Sequence, residues 1–595
     1  MDHKHPKLNE LNSLLNSPAT FSATSIQKTI VVLFLLVAIL LPRVVALDRL
    51  VTPDETRWLT RSANFYYALT HRDFAHTYQI EHPGVLIMWA GMFAFIQKFP
   101  TYSEQATGQL NWLQDEVGSF LRDHGYDPLE LLVTGRLNMV LIIALVLITA
   151  FWAASRLLGF WPAVVGFFLI AVDPFHVALS RLLHVDGMSS SLMLLSLLAF
   201  MCYLYRGEHW RDLVLSGVAA GLAWLTKSPA LFLIPFTGLL LLLELLEKWW
   251  RQKRFAWQHL WQLSVPFVLW GSIGLAVFIL LWPAMWVEPV HTLRRMLGAM
   301  VGYAVEGHDS PLYFNGRVYN GDPGIQFYPI TYLWRTTPVV LAGLAFAGVA
   351  LLHPGKQWIH FSGRRPLAIL LLFAVLFTLF MDGGAKKFDR YMLPIYPPLD
   401  IVAGMGWMVA AEWVRRRPAQ RVAQAFATVA LLAAFIGQVA CTVSSYPYYL
   451  SYYNPLLGGT PRAPQVMMVG WGEGLDQAAR FLNSQPDADQ RQVVTGVWST
   501  TFSYFYKGPV LRSRFQPGTN RIHDWMASDY YVMYVNEEQR EKISHELIDY
   551  FATLEPVKVV RINGLDYVYV YDIRDLPPPN FMSEPSTNQA EIPGS

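Results

Sequence analysis

Long apolar runs dominate the chain between residues 29 and 441. A membrane-spanning helix takes roughly 20 mostly apolar residues, and runs of about that size fall near 29–47, 132–154, 158–178, 187–205, 212–226, 229–247, 263–283, 333–352, 366–382, 391–411 and 421–441. The 212–226 run is short, but its neighbour follows directly, as in a tight helical hairpin. A further run, 84–96, is shorter than a span and suits a re-entrant or interface-lying helix. From about 445 the texture changes. Stretches 493–498, 530–535, 557–562 and 567–571 are rich in β-branched and aromatic residues and read as strands, while 475–483 and 537–553 read as helices. The pattern predicts a polytopic α-helical membrane unit of about eleven spans, followed by a small α/β domain.

Charge placement sets the orientation. With 84–96 excluded and Lys4, Lys7 and Lys28 on the cytoplasmic side, alternate connections are cytoplasmic. They carry Arg156; Arg206 and Arg211; Lys248, Arg251, Lys253 and Arg254; Lys356, Arg364 and Arg365; and Arg415, Arg416, Arg417 and Arg421. Five short loops thus hold fourteen basic residues, as the positive-inside rule requires. Counting 84–96 as a span would put all of them outside. The expected organisation is a cytoplasmic polar tail (1–25), a transmembrane unit (26–444) whose external loop 48–131 carries juxtamembrane helices, an extracytoplasmic α/β domain (445–575) and a disordered proline-bearing tail (576–595). The competing reading of the first run is a cleaved signal peptide, since Lys28 precedes an apolar core; cleavage would remove a span and upset the parity.

Composition sharpens this. Hydrophobic residues make up 53% of 595 and charged residues only 15%, against about a quarter in soluble domains, which excludes an ordinary soluble enzyme or a disordered chain. The net charge of +2 implies no bulk affinity for nucleic acid. Cys202 and Cys441 lie in apolar runs and offer neither a disulfide framework nor a metal knuckle. No P-loop or HExxH is present, and the glycine spacing of 470–474 fits a tight turn before a helix better than a dinucleotide fingerprint.

Ionisable residues beside spans are costly and tend to mark function. Four clusters fall on the outer face: 52–58 with Asp54, Glu55 and Arg57; Glu81-His82-Pro83-Gly84; 181–187 with Arg181, His184 and Asp186; and 385–391 with Lys386, Lys387 and Arg390. Lys227 joins them at the hairpin between the fifth and sixth spans. Each has a plainer reading. Asp54 or Asp186 could cap a helix, the basic cluster could anchor headgroups, and His82 alone is more often structural. Together, two acidic sites and an external basic loop are what an anionic lipid and a proton transfer require.

At these residues the chain resembles the GT-C membrane glycosyltransferases that use polyprenyl-phosphate sugars, especially the protein O-mannosyltransferase and aminoarabinose transferase group (glycosyltransferase family 39). The resemblance covers about 25–445. Pro53-Asp54-Glu55-Thr56-Arg57 is similar to the group's Asp-Glu motif, and Glu81-His82-Pro83 to its "HPP" or "EKP" element. Arg181 to Asp186 resembles its Arg…Asp stretch, the sequence GLAWLTKSP ending at Pro229 its "GLALLTKGP", and Arg390-Tyr391-Met392-Leu393-Pro394 its "RYLLP". Two departures stand out: Gly84 replaces a second proline, and His82 stands where lipid A enzymes have lysine.

The resemblance implies inverting transfer of a hexosyl or pentosyl group, mannosyl among them, from a dolichyl- or undecaprenyl-type phosphate to a protein, lipid or glycan acceptor hydroxyl at the extracytoplasmic face. Such a donor carries its own leaving group, so catalysis needs a base and cations for the departing phosphate. The expected catalytic set is Asp54 as base with Glu55 and Asp186. Lys227, Lys386, Lys387 and Arg390 form the phosphate pool, supported by Glu81, His82, Arg181 and His184. A divalent cation is compatible with the Asp and His content, but the spacing does not establish one. The rival readings are a transporter or flippase of lipid-linked sugars, whose class favours internal pseudo-repeats that are not found here, and a polysaccharide ligase or polymerase.

Overall fold

The computed structural model describes residues 24–111, 115–252, 257–307, 310–352, 361–415, 421–516 and 521–582. The N-terminal tail before residue 24, most of the C-terminal tail, and Lys253, Arg254, Lys356, Arg416 and Arg417 of the basic loops lie outside them. Each of the eleven apolar runs is helical. Among the described residues six helices are long and apolar enough to cross a membrane: Ser25–Val44, Pro128–Leu158, Val185–Tyr205, Ser228–Gln252, Trp261–Leu281 and Arg364–Asp382. Two more runs form helix pairs bent by 115°, Phe327–Arg335 with Pro338–Leu352 and Thr428–Ser444 with Tyr449–Leu457, giving up to eight spans. The remaining three runs correspond to Phe160–Ala171, Trp210–Thr226 and Tyr396–Arg415, which are shorter or less apolar. Val85–Lys98, with 14 residues, falls short of a span, as expected.

Val185–Tyr205 sits at the centre, buried along most of its length. Its serines close on neighbouring backbone rather than on water: Ser190 Oγ donates to Leu393 O (3.0 Å) and Ser196 Oγ to Ser216 O (3.0 Å). At the periphery Leu33, Phe34, Val37, Val265 and Val268 are exposed, the pattern of helices whose outer face meets lipid. The protein is a multi-pass α-helical membrane protein.

The first external segment is held by charge as well as by apolar packing. Thr52 caps the helix Pro53–Thr70 in a capping box with Glu55, so Asp54, one residue inside the helix, is not the cap. Arg43 at the end of the first span donates to Ser180 Oγ (2.7 Å) and Ala171 O (3.0 Å), drawing 170–180 against it.

The C-terminal unit holds a five-stranded sheet of order β4-β3-β5-β7-β6: β3 (Val493–Thr495), β4 (Val510–Arg512), β5 (Tyr530–Tyr534), β6 (Lys558–Ile562) and β7 (Leu565–Asp572). β3 pairs parallel with β4 and β5, and β7 pairs antiparallel with β5 and β6. β4 is only three residues long, too short to show as a period-2 run. A β1–β2 hairpin (Leu312–Phe314, Arg317–Tyr319) turns on Asn315-Gly316, both left-handed, and Asn315 N donates to Val466 O (2.8 Å). Helix Leu475–Asn483 matches expectation. The continuous helix expected over 537–553 is instead two, Val535–Gln539 and His545–Ala552. Glu541 adopts a positive φ of 52° and Ser544 caps the second helix, so the chain breaks between them. Of the terminal segment from Leu576, the described residues pack on this sheet and Met582 is buried.

Candidate active site

Asp54 is the open carboxylate of the outer-face cluster. Its side chain is 26% exposed, whereas that of the adjacent Glu55 is 0% exposed. Consecutive helical residues point about 100° apart, so the two cannot share one direction. Asp54 Oδ2 lies 3.4 Å from Arg390 Nη2 and 3.4 Å from His184 Nε2, and Arg57 Nη1 is 3.9 Å from Oδ1. On the other side of the imidazole, His184 Nδ1 is 3.2 Å from Asp186 Oδ2. Lys227 Nζ donates to Asp186 Oδ1 at 2.5 Å, and Arg390 Nε stands 3.7 Å from Asp186 Oδ2. Four regions of sequence thus converge on a chain of carboxylate, imidazole and carboxylate flanked by two cations.

The electrostatics follow from this geometry. Burial by itself would raise the Asp54 carboxyl, but contact with His184 and the charge of Arg390 outweigh it and hold the group well below the carboxylate range. Burial opposes charging of His184, yet Asp186 and Asp54 hold its imidazole above its ordinary value. His82 goes the other way: burial, then the charges of Lys227 and Lys386, push it down to about 3, so it is neutral. Its ring stacks on Tyr303 (5.0 Å between centroids), and Lys386 Nζ stands 4.1 Å over the same ring. The Gly84 N–H, next in that element, donates to Thr226 O (3.2 Å), tying it to the residue before Lys227. His82 Nδ1, His184 Nδ1, Asp186 Oδ2 and Arg390 Nε are buried without a hydrogen bond inside the protein, which leaves them for the phosphate oxygens or hydroxyls of a ligand.

Three expected site residues are placed elsewhere. Glu55 accepts from Arg136 Nε (2.7 Å), Arg136 Nη2 (2.5 Å), Thr52 N (3.1 Å), Thr52 Oγ1 (3.2 Å) and Leu183 N (2.9 Å). It is an internal anchor of the fold. Lys387 is buried against Asp322 (2.9 Å), Asp382 (3.2 Å) and Gly324 O (3.2 Å), turned from the Asp54 cluster. Arg181 binds Val45 O and Ala46 O and stacks on Tyr449 (5.2 Å). Glu81, half-buried, opens the element that carries His82. Among the described residues no group of three or more His, Cys, Asp and Glu side chains is arranged to hold a metal ion.

Sequence reasoning missed three contributors. Arg136 was visible as a lone arginine in a spanning run. Arg335 pairs with Asp389 (2.8 Å) and donates to Leu450 O (2.6 Å), fixing the segment that bears Arg390. Trp471 comes from the 470–474 turn: Arg390 lies 4.5 Å over its ring and His184 meets it edge-on at 5.3 Å.

A membrane-embedded bundle with a carboxylate–imidazole–cation cluster at one end, met there by an α/β unit, is the class of protein defined so far. Residues 132–282 match the family described as dolichyl-phosphate-mannose-protein mannosyltransferase. That segment carries Arg181, His184, Asp186 and Lys227, so the resemblance to polyprenyl-phosphate-sugar glycosyltransferases read from the motifs is borne out there. Among solved structures, ArnT from Cupriavidus metallidurans bound to undecaprenyl phosphate is similar, with a TM-score of 0.48 and 13% identity over 92% of this chain and 98% of that one. The S. cerevisiae protein O-mannosyltransferase Pmt1-Pmt2 complex bound to the sugar donor has a TM-score of 0.49 and 11% identity over 74% and 91%. The Archaeoglobus fulgidus oligosaccharyltransferase AglB, in complex with an inhibitory peptide and a dolichol-phosphate, has a TM-score of 0.45 and 14% identity over 86% and 70%. No curated protein matches the chain by sequence.

Proposed function

We propose that this protein is a glycosyltransferase that moves a sugar from a polyprenyl-phosphate donor to an acceptor hydroxyl at the extracytoplasmic face, with Asp54 as the base. The observation that carries the reading is the pairing of one solvent-open carboxylate, Asp54, with buried Arg390 and Lys227 within a single contact network. The acceptor O–H gives its proton to Asp54 as its oxygen bonds to the anomeric carbon. The bond from that carbon to the phosphate oxygen breaks with its electron pair, and the leaving phosphate is neutralised by Arg390, Lys227 and Lys386. A single displacement inverts the anomeric centre.

The depressed Asp54 carboxyl fits this scheme because its depression depends partly on Arg390. A donor phosphate that takes up the guanidinium withdraws that charge from Asp54 and raises its basicity when the donor is in place. His184, between Asp54 and Asp186, orients the base, and neutral His82 lines the phosphate side. The orientation, like the domain boundaries, rests on the basic-loop parity.

Incubating the purified full chain with radiolabelled polyprenyl-phosphate sugars tests the reading, since a transferase consumes the donor and a transporter does not. Asp54→Asn keeps the shape but cannot take a proton, so turnover should fall roughly 10²–10⁴-fold with folding and donor binding kept. Near wild-type turnover in Asp54→Asn, with Asp186→Asn inactive, would move the base to the second external loop.

A further inference from the structure

The C-terminal unit reaches the site through one turn. Gly472 has a φ of +114°, and a Cβ there would stand 2.3 Å from Val51 O, so the turn lies on the backbone three residues before Asp54 without room for a side chain. Its conformation is locked from behind. Glu473, buried, accepts from Trp471 N (2.5 Å) and from Tyr534 Oη (3.1 Å), and Tyr534 Oη accepts from Gly472 N (2.9 Å). Tyr534 belongs to central strand β5, so the turn is fastened to the sheet. The result is a fixed indole: the Arg390 guanidinium is held between the rings of Phe388 (4.1 Å) and Trp471 (4.5 Å), and the edge-on contact with His184 is at 5.3 Å. Arg390 and His184 are the two groups that meet Asp54 Oδ2.

We infer that Trp471 is a positioning residue of the transfer site, contributed by the C-terminal unit, which fixes Arg390 and His184 about Asp54 and makes that unit a required part of the active site. The inference rests on the proposed glycosyl transfer for its consequence, but its geometric content does not. A guanidinium has many rotamers, and stacking between two rings keeps its donor edge toward Asp54 and the phosphate position. The charged groups facing His184 are Asp54 from the helix Pro53–Thr70 and Asp186 from its own helix, with Arg390 and Lys227 paired to those carboxylates. Trp471 closes the remaining side without charge.

The test uses the full chain in detergent with Trp471→Phe, Trp471→Leu and Trp471→Ala. Binding of undecaprenyl phosphate and of dolichyl phosphate is measured by titration. The His184 imidazole is followed by NMR in histidine-labelled protein, its resonance assigned by loss in His184→Gln. Trp471→Leu and Trp471→Ala should weaken lipid-phosphate binding about 3- to 30-fold, the range a cation–π contact carries, while Trp471→Phe keeps most of it. In the leucine and alanine variants the His184 titration should fall toward its ordinary value as water reaches the carboxylates. Leucine serving as well as phenylalanine in both readouts would reduce Trp471 to filler and overturn the inference. So would wild-type binding and an unmoved His184 titration in all folded variants. Should the wild-type protein bind neither lipid phosphate, the donor reading fails by itself, and the His184 titration still decides the positioning role.

Discussion

Glu55 and Asp54 are neighbours in one motif, yet the structure assigns them opposite duties, and Glu55→Gln separates them. The Glu55 carboxylate receives five donors on two oxygens and pairs with Arg136, whose side chain is 2% exposed. Oε1 faces Arg136 Nε and Leu183 N, while Oε2 faces Arg136 Nη2 and both Thr52 donors. An amide placed either way sets its own N–H groups against donors and leaves the guanidinium without a counter-charge. Breaking one half of a buried, hydrogen-bonded pair costs about 3–5 kcal/mol. Arg136 also donates to Leu47 O and Leu50 O, so the loss spreads through the link from the first span to Asp54. Unfolding of the detergent-purified chain, followed by heat or denaturant, should show a clear drop for Glu55→Gln and a change of at most about 1 kcal/mol for Asp54→Asn, which is not the helix cap. A Glu55→Gln protein with wild-type stability and no turnover would refute this reasoning and return Glu55 to the chemistry.

The basic loop divides in the same way: Arg390→Ala should weaken donor binding by about 1.5–3 kcal/mol, the scale of a charge-assisted hydrogen bond. Lys387→Met should lower stability with donor affinity unchanged, since Lys387 answers Asp322 and Asp382; equal affinity losses in both would put Lys387 back in the phosphate pool. The raised His184 value sets a pH dependence with a definite sign: its stabilising share is complete below about pH 6.5 and is lost as pH rises through the raised value. Wild type should therefore lose its stability advantage over His184→Gln on the alkaline side, and a constant gap from pH 5 to 9 would count against the ion-pair assignment. For topology, single cysteines near Asp115 and Asn483 should react with an impermeant thiol reagent from outside while one near Gln252 does not. The opposite labelling would overturn the eleven-span orientation.

The bundle was legible because apolar length is a local property, and each expected run is a helix. The count by length is smaller, since Phe327–Arg335 and Pro338–Leu352 bend by 115° at a break that hydropathy does not see. Within the site, Asp54, His184, Asp186, Lys227 and Arg390 were legible as charges set next to spans. Which of two adjacent charges faces the site was not, because Glu55 and Lys387 are decided by Arg136, Asp322 and Asp382, residues far away in sequence. Trp471 left no signal of its own. Its turn reads correctly as a turn, but the ring finds Arg390 only through the docking of the sheet.

The substitution of glycine for a second proline at position 84 also has a physical cause. Gly84 sits at a φ of +56°, and an ideal Cβ there would fall 2.0 Å from the Trp58 ring. Proline is barred twice, by its fixed negative φ and by its missing N–H, which here reaches Thr226 O. Positions 58 and 84 therefore behave as one exchangeable unit. A relative with proline at the second position needs a smaller residue in place of Trp58 and another tether for the strand of chain leading to Lys227. Grafting the proline alone into this chain should dislodge Lys227, and grafting both changes together is the exchange the fold can accept.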